Sequence, residues 1–277
     1  MAQQETVAER WARQMADWAI PAEILGSAPR RPFVFTPEIF AAPTPGTFEP
    51  SLSNRRAAEA LGDGGSVLDV GCGGGAAAFA VTPPATEAIG TDRQSDMLEL
   101  FAATARERGI PAQVHVGSWP EVAGEVPVAD VVVCHNVLYN VTDIPPFVAA
   151  LNAHARRRVV IEITPKHPQD RRRMLWRHFW NLERPHEPTA ATAVEAIAEA
   201  GMDPVVEESL LPEDPRAAKR REFEGPQWCR NLCLPPEREP EVTALVADVP
   251  FPRERVTIWW DIARLGRGQT SRTVVSA

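Results

Sequence analysis

From Ser66 to Thr164, short apolar runs alternate with helical patterns, and this alternation restricts the fold more than any other feature of the chain. "SVLDV" reads as a strand that runs directly into the glycines of "GCGGGAAA". "EAIGTD" at 87–92, "AQVHVG" at 112–117, "ADVVVCHNV" at 129–137 and "RRVVIEIT" at 157–164 read as four more strands. The fourth is apolar enough to be buried on both faces. Between them, Ser95 caps a helix carrying Met97, Leu98, Phe101 and Ala105 and ended by Gly109, and Asp143 with Pro145 and Pro146 starts another through Leu151. Strands alternating with helices imply a parallel sheet with right-handed crossovers.

The flanks are less regular. Residues 6–19 carry a capping-box pattern, Thr6 and Glu9, and an apolar stripe of Val7, Trp11, Met15 and Trp18 that Pro21 ends. Residues 28–50 hold six prolines and are expected to wrap the body as irregular chain, ahead of a short helix at 53–61. After the fifth strand, helices are expected at 168–182 and 189–201, a strand at 203–211, a proline-rich connection over 212–250 and a last strand at 255–263. The organisation that follows is a lid segment over 1–52, a main domain over 53–266 with insertions at 165–188 and 212–250, and a flexible tail over 267–277.

With 277 residues, 44% of them hydrophobic, one large α/β domain can bury a full core. The net charge of -8 argues against a nucleic-acid partner, which needs a cationic face. The basic runs at Arg156–Arg158, Arg171–Arg173 and Lys219–Arg221 read as solvated helix faces. Four scattered cysteines fit reduced thiols rather than a disulfide framework, and Cys229 and Cys233, one helical turn apart, read as helix packing rather than a metal pair. With no signal-like start and no apolar run of membrane length, a cytoplasmic protein with no membrane partner is expected.

Gly71-Cys72-Gly73-Gly74-Gly75-Ala76 satisfies the dinucleotide pattern G-x-G-x-x-G/A. In a dinucleotide site the turn receives a pyrophosphate, and a carboxylate at the strand end, Asp69, would repel it. Asp69 suits instead a ligand with positive charge near the loop and no phosphate, as S-adenosylmethionine is, and could hold its ammonium directly or through water. A second acid is then needed at the end of the next strand for the ribose hydroxyls, and Asp92 stands there.

"LDVGCGGG" resembles the D-x-G-x-G-x-G motif of class I S-adenosylmethionine-dependent methyltransferases. "GTDRQSDML" resembles their second motif, "VGSWPEV" their adenine-contacting turn, "ADVVVCHNVLYNV" their strand-four segment and "RRVVIEITP" their strand five. The resemblance covers about 66–164 and implies a Rossmann-like seven-stranded mixed sheet in the order 3-2-1-4-5-7-6. The last strand is antiparallel, helices lie on both faces, and helical insertions stand at the N-terminus and after strand five. It implies a cofactor set of Asp69, Gly71, Cys72, Gly73 and Gly75 at the first turn, Asp92, Arg93 and Met97 at the second, Gly117, Ser118 and Trp119 after strand three, and His135 and Asn136 after strand four. Ser118 departs from the pattern, since many relatives carry an acid there. Trp119 either packs on the adenine or covers the sheet edge.

Methyl transfer from a sulfonium is an in-line displacement that a protein serves mainly by alignment and exclusion of water. A base is needed only where the acceptor must lose a proton. His135, Tyr139, Glu162 and His178 are the candidates, with His135 or Tyr139 expected at the reacting centre. The aromatics Trp11, Trp18, Phe33, Phe35, Phe40, Trp176, Phe179, Trp180 and Trp228 are expected to meet above the strand ends around an apolar pocket for a small organic acceptor. A protein acceptor is the alternative, with an NAD-dependent oxidoreductase behind it. Trp259 and Trp260 alternate faces on the last strand, so one of them could mark a homodimer edge.

Overall fold

A computed structural model describes residues 5–35, 37, 41–42, 48–213 and 217–262, with the side chains of 217–220 excluded. Phe40, which was expected among the pocket aromatics, and the tail over 267–277 lie outside the described residues.

The chain enters through α1 (Val7–Ala16), a short α2 (Ala22–Gly26) and α3 (Leu52–Leu61). Thr6 and Ser51 close capping boxes at the first and third of these; each such cap contributes about 1 kcal/mol. The alternating region follows: β1 (Gly65–Val70), α4 (Ala76–Ala80), β2 (Ala85–Asp92), α5 (Ser95–Glu107), β3 (Ala112–Val116), β4 (Ala129–His135), α6 (Ile144–His154) and β5 (Ala155–Ile163). Next come α7 (Arg173–Trp180), α8 (Ala190–Glu199), β6 (Val205–Leu210), α9 (Ala217–Asn231), α10 (Glu239–Val246) and β7 (Glu254–Asp261). The seven strands form one sheet in the order β3-β2-β1-β4-β5-β7-β6. β1 to β5 are parallel, and β7 runs antiparallel between β5 and β6. The sheet expected from the sequence is the sheet observed.

Strand alternation splits the core in two. Leu68, Val132, Cys134, Val159, Ile161 and Trp260 pack with Phe147 and Leu151 of α6 and Ala193 and Ile197 of α8. Val67, Val131, Val133 and Val160 face the other way, onto Leu61 of α3, Phe79 of α4 and Phe101 of α5. Such two-sided burial is why these strands are nearly continuous in valine and isoleucine.

A third cluster unites Leu175, Trp176, Trp228, Leu232, Val242 and Val246, with Ile20, Ile24 and Trp180 against it. Within the proline-rich connection expected over 212–250 stand two helices, α9 and α10. The prolines mislead because several sit at helix starts. Pro240 occupies the first turn of α10, and Pro21 caps α2 at positions that have no intrahelical N–H bond to lose. Among the described residues, Pro226 alone lies inside a helix beyond its first turn.

The basic runs are also corrected. Arg158 on β5 is buried and pairs with Asp261 and Glu59. Arg172 is fully buried and pairs with Glu224, which also holds Arg171. Arg171 and Arg221 lie over the ring of Phe251. These guanidiniums join the helical layer to itself and to the sheet instead of facing water; removing one partner of such a buried pair costs about 3–5 kcal/mol.

β7 is an interior strand, so neither tryptophan on it marks an edge. Trp259 is covered by the Arg158 guanidinium at 4.0 Å and donates to Glu207, while Trp260 is buried and donates to Asn152. The expected dimer edge therefore has no basis there.

Most of the pocket aromatics are packing residues. Trp11 is fully buried, donates to the Val141 carbonyl and stacks on Tyr139. Trp18 donates to the Glu187 carbonyl and stacks on His167 at 4.0 Å. Trp180 donates to the Leu232 carbonyl. A surface cavity of about 380 Å³ lined by Pro21, Ile24, Trp180 and Leu182 lies beside this layer. His178, offered as a possible base, is exposed and pairs with Glu241.

His167 generates a prediction. Burial, with Arg184 adding to it, depresses its pKa from the ordinary 6.5 to about 3. Its contribution to stability is present above the unfolded value and is lost as pH falls toward the folded one, at up to about 1.4 kcal/mol per pH unit. Thermal melts of the protein between about pH 7 and 4 are expected to show a steeper loss of Tm than those of His167→Phe, which keeps the stack on Trp18 without the titrating group. Parallel curves would refute this.

Candidate functional site

At the end of β1 the chain turns on glycines. Gly71 and Cys72 both donate to the Thr91 carbonyl of β2 at 2.9 Å, and Gly75 donates to the Cys72 carbonyl at 2.8 Å. Gly71 has φ +71°, and a Cβ there would stand 2.5 Å from Val137. Gly75 has φ +84°, and a Cβ there would strike Phe79 and Phe101. Only glycine meets both demands, left-handed backbone and close approach. Ala41 forms an isolated antiparallel bridge with Gly75, so the N-terminal segment crosses the turn.

Asp69 is 1% exposed, and its Oδ2 accepts the Ala78 N–H in the first turn of α4 at 3.0 Å. Burial raises its pKa to about 7, against the help of that bond and with nearby Asp92 adding to the rise. The carboxylate thus already takes an amide of the helix start, where a pyrophosphate would look for donors. Asp92 ends β2. Its Oδ2 accepts from Gly73 N–H at 3.0 Å and its Oδ1 from Gln94 N–H at 2.9 Å. Each carboxylate oxygen keeps a further lone pair for a diol.

The remaining expected contacts divide. Gly117 donates to the Asp92 carbonyl, and a Cβ there would meet Val122 at 2.7 Å. Ser118 is exposed, and its carbonyl accepts from Val122. Met97 of α5 is buried, Arg93 is exposed, and the Cys72 thiol is buried, which raises its pKa. Trp119 turns toward α6. Its ring meets His154 edge-on at 4.9 Å and its N–H donates to the Phe147 carbonyl.

Beyond β4, Asn136 is exposed at φ 60° and its N–H donates to the Glu162 carbonyl at 2.7 Å. His135 is the cross-strand partner of Glu162. Its Nε2 is closed off from solvent and has no hydrogen-bond partner among the described residues. An unmet buried nitrogen costs about 1–3 kcal/mol. Burial lowers the His135 pKa, Arg255 adds to this, and Glu162 opposes it. Tyr139 is 4% exposed, its hydroxyl donates to the Thr164 carbonyl at 3.0 Å, and its ring stacks on Trp11.

Sequence reasoning missed Ser51 and Arg255, which stand at Glu162. Ser51 Oγ donates to its Oε2 at 3.1 Å, and Arg255 Nε lies 3.6 Å from its Oε1. The S-L-S-N cap signal was legible for Ser51, whereas nothing local marks Arg255, nearly a hundred residues from its partner. No group of three or more metal-ligating side chains forms among the described residues, and no helix there is long and apolar enough to cross a membrane.

Residues 67–158 match the family model described as a methyltransferase domain. No curated protein sequence matches the chain. Among solved structures, the YcgJ protein from Bacillus subtilis is 17% identical, with 77% of this chain and 99% of that chain covered at a TM-score of 0.49. A putative methyltransferase from Bacillus halodurans C-125 is 16% identical over 76% and 96% of the two chains, also at 0.49. Magnesium protoporphyrin IX methyltransferase from Synechocystis PCC 6803 is 16% identical over 59% and 74%, at 0.46.

Asp69 also gives a test. Its folded pKa is raised above the unfolded value of 3.8, so stability falls as pH rises between the two, at up to about 1.4 kcal/mol per pH unit. Asp69→Asn keeps an oxygen for Ala78 N–H and removes the buried charge. Its Tm relative to the parent is expected to rise between about pH 5 and 8; a constant or falling difference would contradict the assigned environment.

Proposed function

With residues 67–158 forming a class I S-adenosylmethionine-dependent methyltransferase domain, we propose that the chain transfers a methyl group to an O, N or C nucleophile of a small, partly apolar organic acceptor. One observation carries the cofactor side of this reading: the turn is bracketed by two carboxylates, and one of them, Asp69, occupies the helix-start amide that a dinucleotide phosphate would use.

The residues present fit the cofactor. Asp92 has lone pairs free for the ribose hydroxyls. Asp69 supplies negative charge beneath an ammonium, which in turn would favour its ionised form. The main chain of Gly71, Cys72, Gly73 and Gly75 borders the amino-acid portion. Gly117 and Ser118 offer main chain to the adenine, since position 118 holds a serine and not an acid, and Asn136 borders the same cleft. Close to Asp92 in sequence, Met97 is buried and Arg93 is exposed. When bound, the cofactor supplies a methyl group already activated on sulfonium. What is left to the protein is alignment and exclusion of water.

The acceptor side is read from what covers the strand ends. The layer of α7, α9 and α10 is inserted in the chain between β5 and β7, and at the ends of β4 and β5 His135 Nε2 and Glu162 are closed off from solvent. Such enclosure favours a small molecule over a protein segment. His135 borders the reacting centre in this reading, and Tyr139 does not.

Calorimetric titration tests the assignment. S-adenosylmethionine is expected to bind, NAD is expected to give no saturable heat, and Asp92→Ala is expected to weaken the former by at least about tenfold, roughly 1.4 kcal/mol. Binding of NAD alone would overturn it.

A further inference from the structure

The sheet has two edges, β3 and β6, and they are guarded differently. At the centre of β6, Glu207 and Glu208 stand side by side. Two copies of that strand paired antiparallel about its centre would set glutamate against glutamate, which is destabilising. Such charge is a usual defence of an edge. β3, Ala112-Gln113-Val114-His115-Val116, holds no acid, lysine or arginine. Its Val114 is 39% and its Val116 62% exposed. Among the described residues no strand pairs with its outer side.

The main chain of β3 alternates. The Pro111 carbonyl accepts from Ala88 N–H, and Gly117 N–H donates to the Asp92 carbonyl, so residues 111, 113, 115 and 117 turn their polar groups to β2. Ala112, Val114 and Val116 therefore present N–H and C=O outward, and by the same period of two their side chains share one face. That face is on the α5 side of the sheet, where a surface groove of about 280 Å³ is lined by Ala102, Ala105 and Arg106 of α5 with Ile110 and Ala112.

We propose that β3 pairs antiparallel with β3 of a second copy of this chain, about a two-fold axis at Val114, joining the two sheets into one. In this register Val114 faces Val114 and Ala112 faces Val116, and every outward N–H and C=O of the strand is matched. Sliding by two residues leaves the outward groups of Ala112 or of Val116 without a strand partner. The sizes agree as well, since the large Val116 side chain meets the small Ala112 at the mouth of the groove beside α5. On the other face Gln113 stands opposite His115, so no like charges meet. The strand is five residues long, so the contact is short and the dimer dissociates in the micromolar range. The pairing does not depend on the methyl-transfer reading.

Sedimentation equilibrium of the full chain, up to about 100 μM, tests it. A rise from one chain mass toward two with concentration is expected. Val116→Lys and, separately, Val114→Lys, which sets lysine against lysine on the axis, are each expected to weaken dimerisation by at least about tenfold. Leu210→Lys, on the other edge, is expected to leave it unchanged. Circular dichroism checks each fold, and the largely exposed Val116 decides alone if Val114→Lys unfolds. Hydrogen exchange reads the register: the amides of Ala112, Val114 and Val116 are expected to slow as concentration rises, and not to slow in Val116→Lys. A monomer at every concentration, a dimer kept by the folded lysine variants of β3, a dimer lost in a folded Leu210→Lys, or a dimer without slowing of those amides would each overturn the proposal.

Discussion

A single hydrogen bond, from the Ala78 amide to the Asp69 carboxylate, ties the first strand to the first turn of the helix after it. Between these residues the chain must reverse within a few residues, so it uses glycine where φ is positive. The helix that results is only five residues long, and its start has few amides to satisfy. By taking one of them, Asp69 fixes the direction of the turn and the sign of charge the cleft tolerates. The same placement requires a carboxylate buried to 1% exposure, so its pKa rises to about 7 and its ionised form is held at a cost. A cation arriving at the cleft would relieve that cost. Stability and ligand preference therefore come from the same atom.

The layer over the strand ends follows a different logic. It has an apolar centre of its own, yet its position is set by buried guanidiniums: Arg172 on Glu224, and Arg184 on the carbonyls of Trp18 and Ala19 between the rings of Trp18 and Trp176. Desolvation makes such groups weak sources of net stability. Their geometry is directional in a way that leucine contacts are not, which fixes how α1, α7 and α9 meet.

The strands were legible because their spacing of two and their valine runs are local consequences of burial on both faces. The glycine turn and both acids were legible because the backbone conformation and the repulsion of phosphate are local as well. Prolines were misleading. Read as breakers, those of 212–250 concealed two helices, since a proline in a first turn loses no hydrogen bond. Charge misled in the same way: a run of arginines looks alike whether it faces water or, as at Arg172, a buried carboxylate contributed by a helix fifty residues on. Trp259, one of the two tryptophans of which one was expected to be exposed, illustrates the reverse, since two arginines lie over its ring.

By itself the sequence determined the parallel sheet, the turn that interrupts it and the two carboxylates beside that turn, because periodicity, backbone strain and Coulomb repulsion act over a few residues. The tertiary structure alone decided which side chains find a hydrogen-bond partner. Tyr139 and His135 stand four residues apart and look equally available, yet one hydroxyl is spent on the Thr164 carbonyl and the other residue keeps a bare nitrogen next to Glu162. Whether a polar atom has a partner depends on segments brought from elsewhere in the chain. Ser51 and Arg255 reach Glu162 only once α3 and β7 have docked.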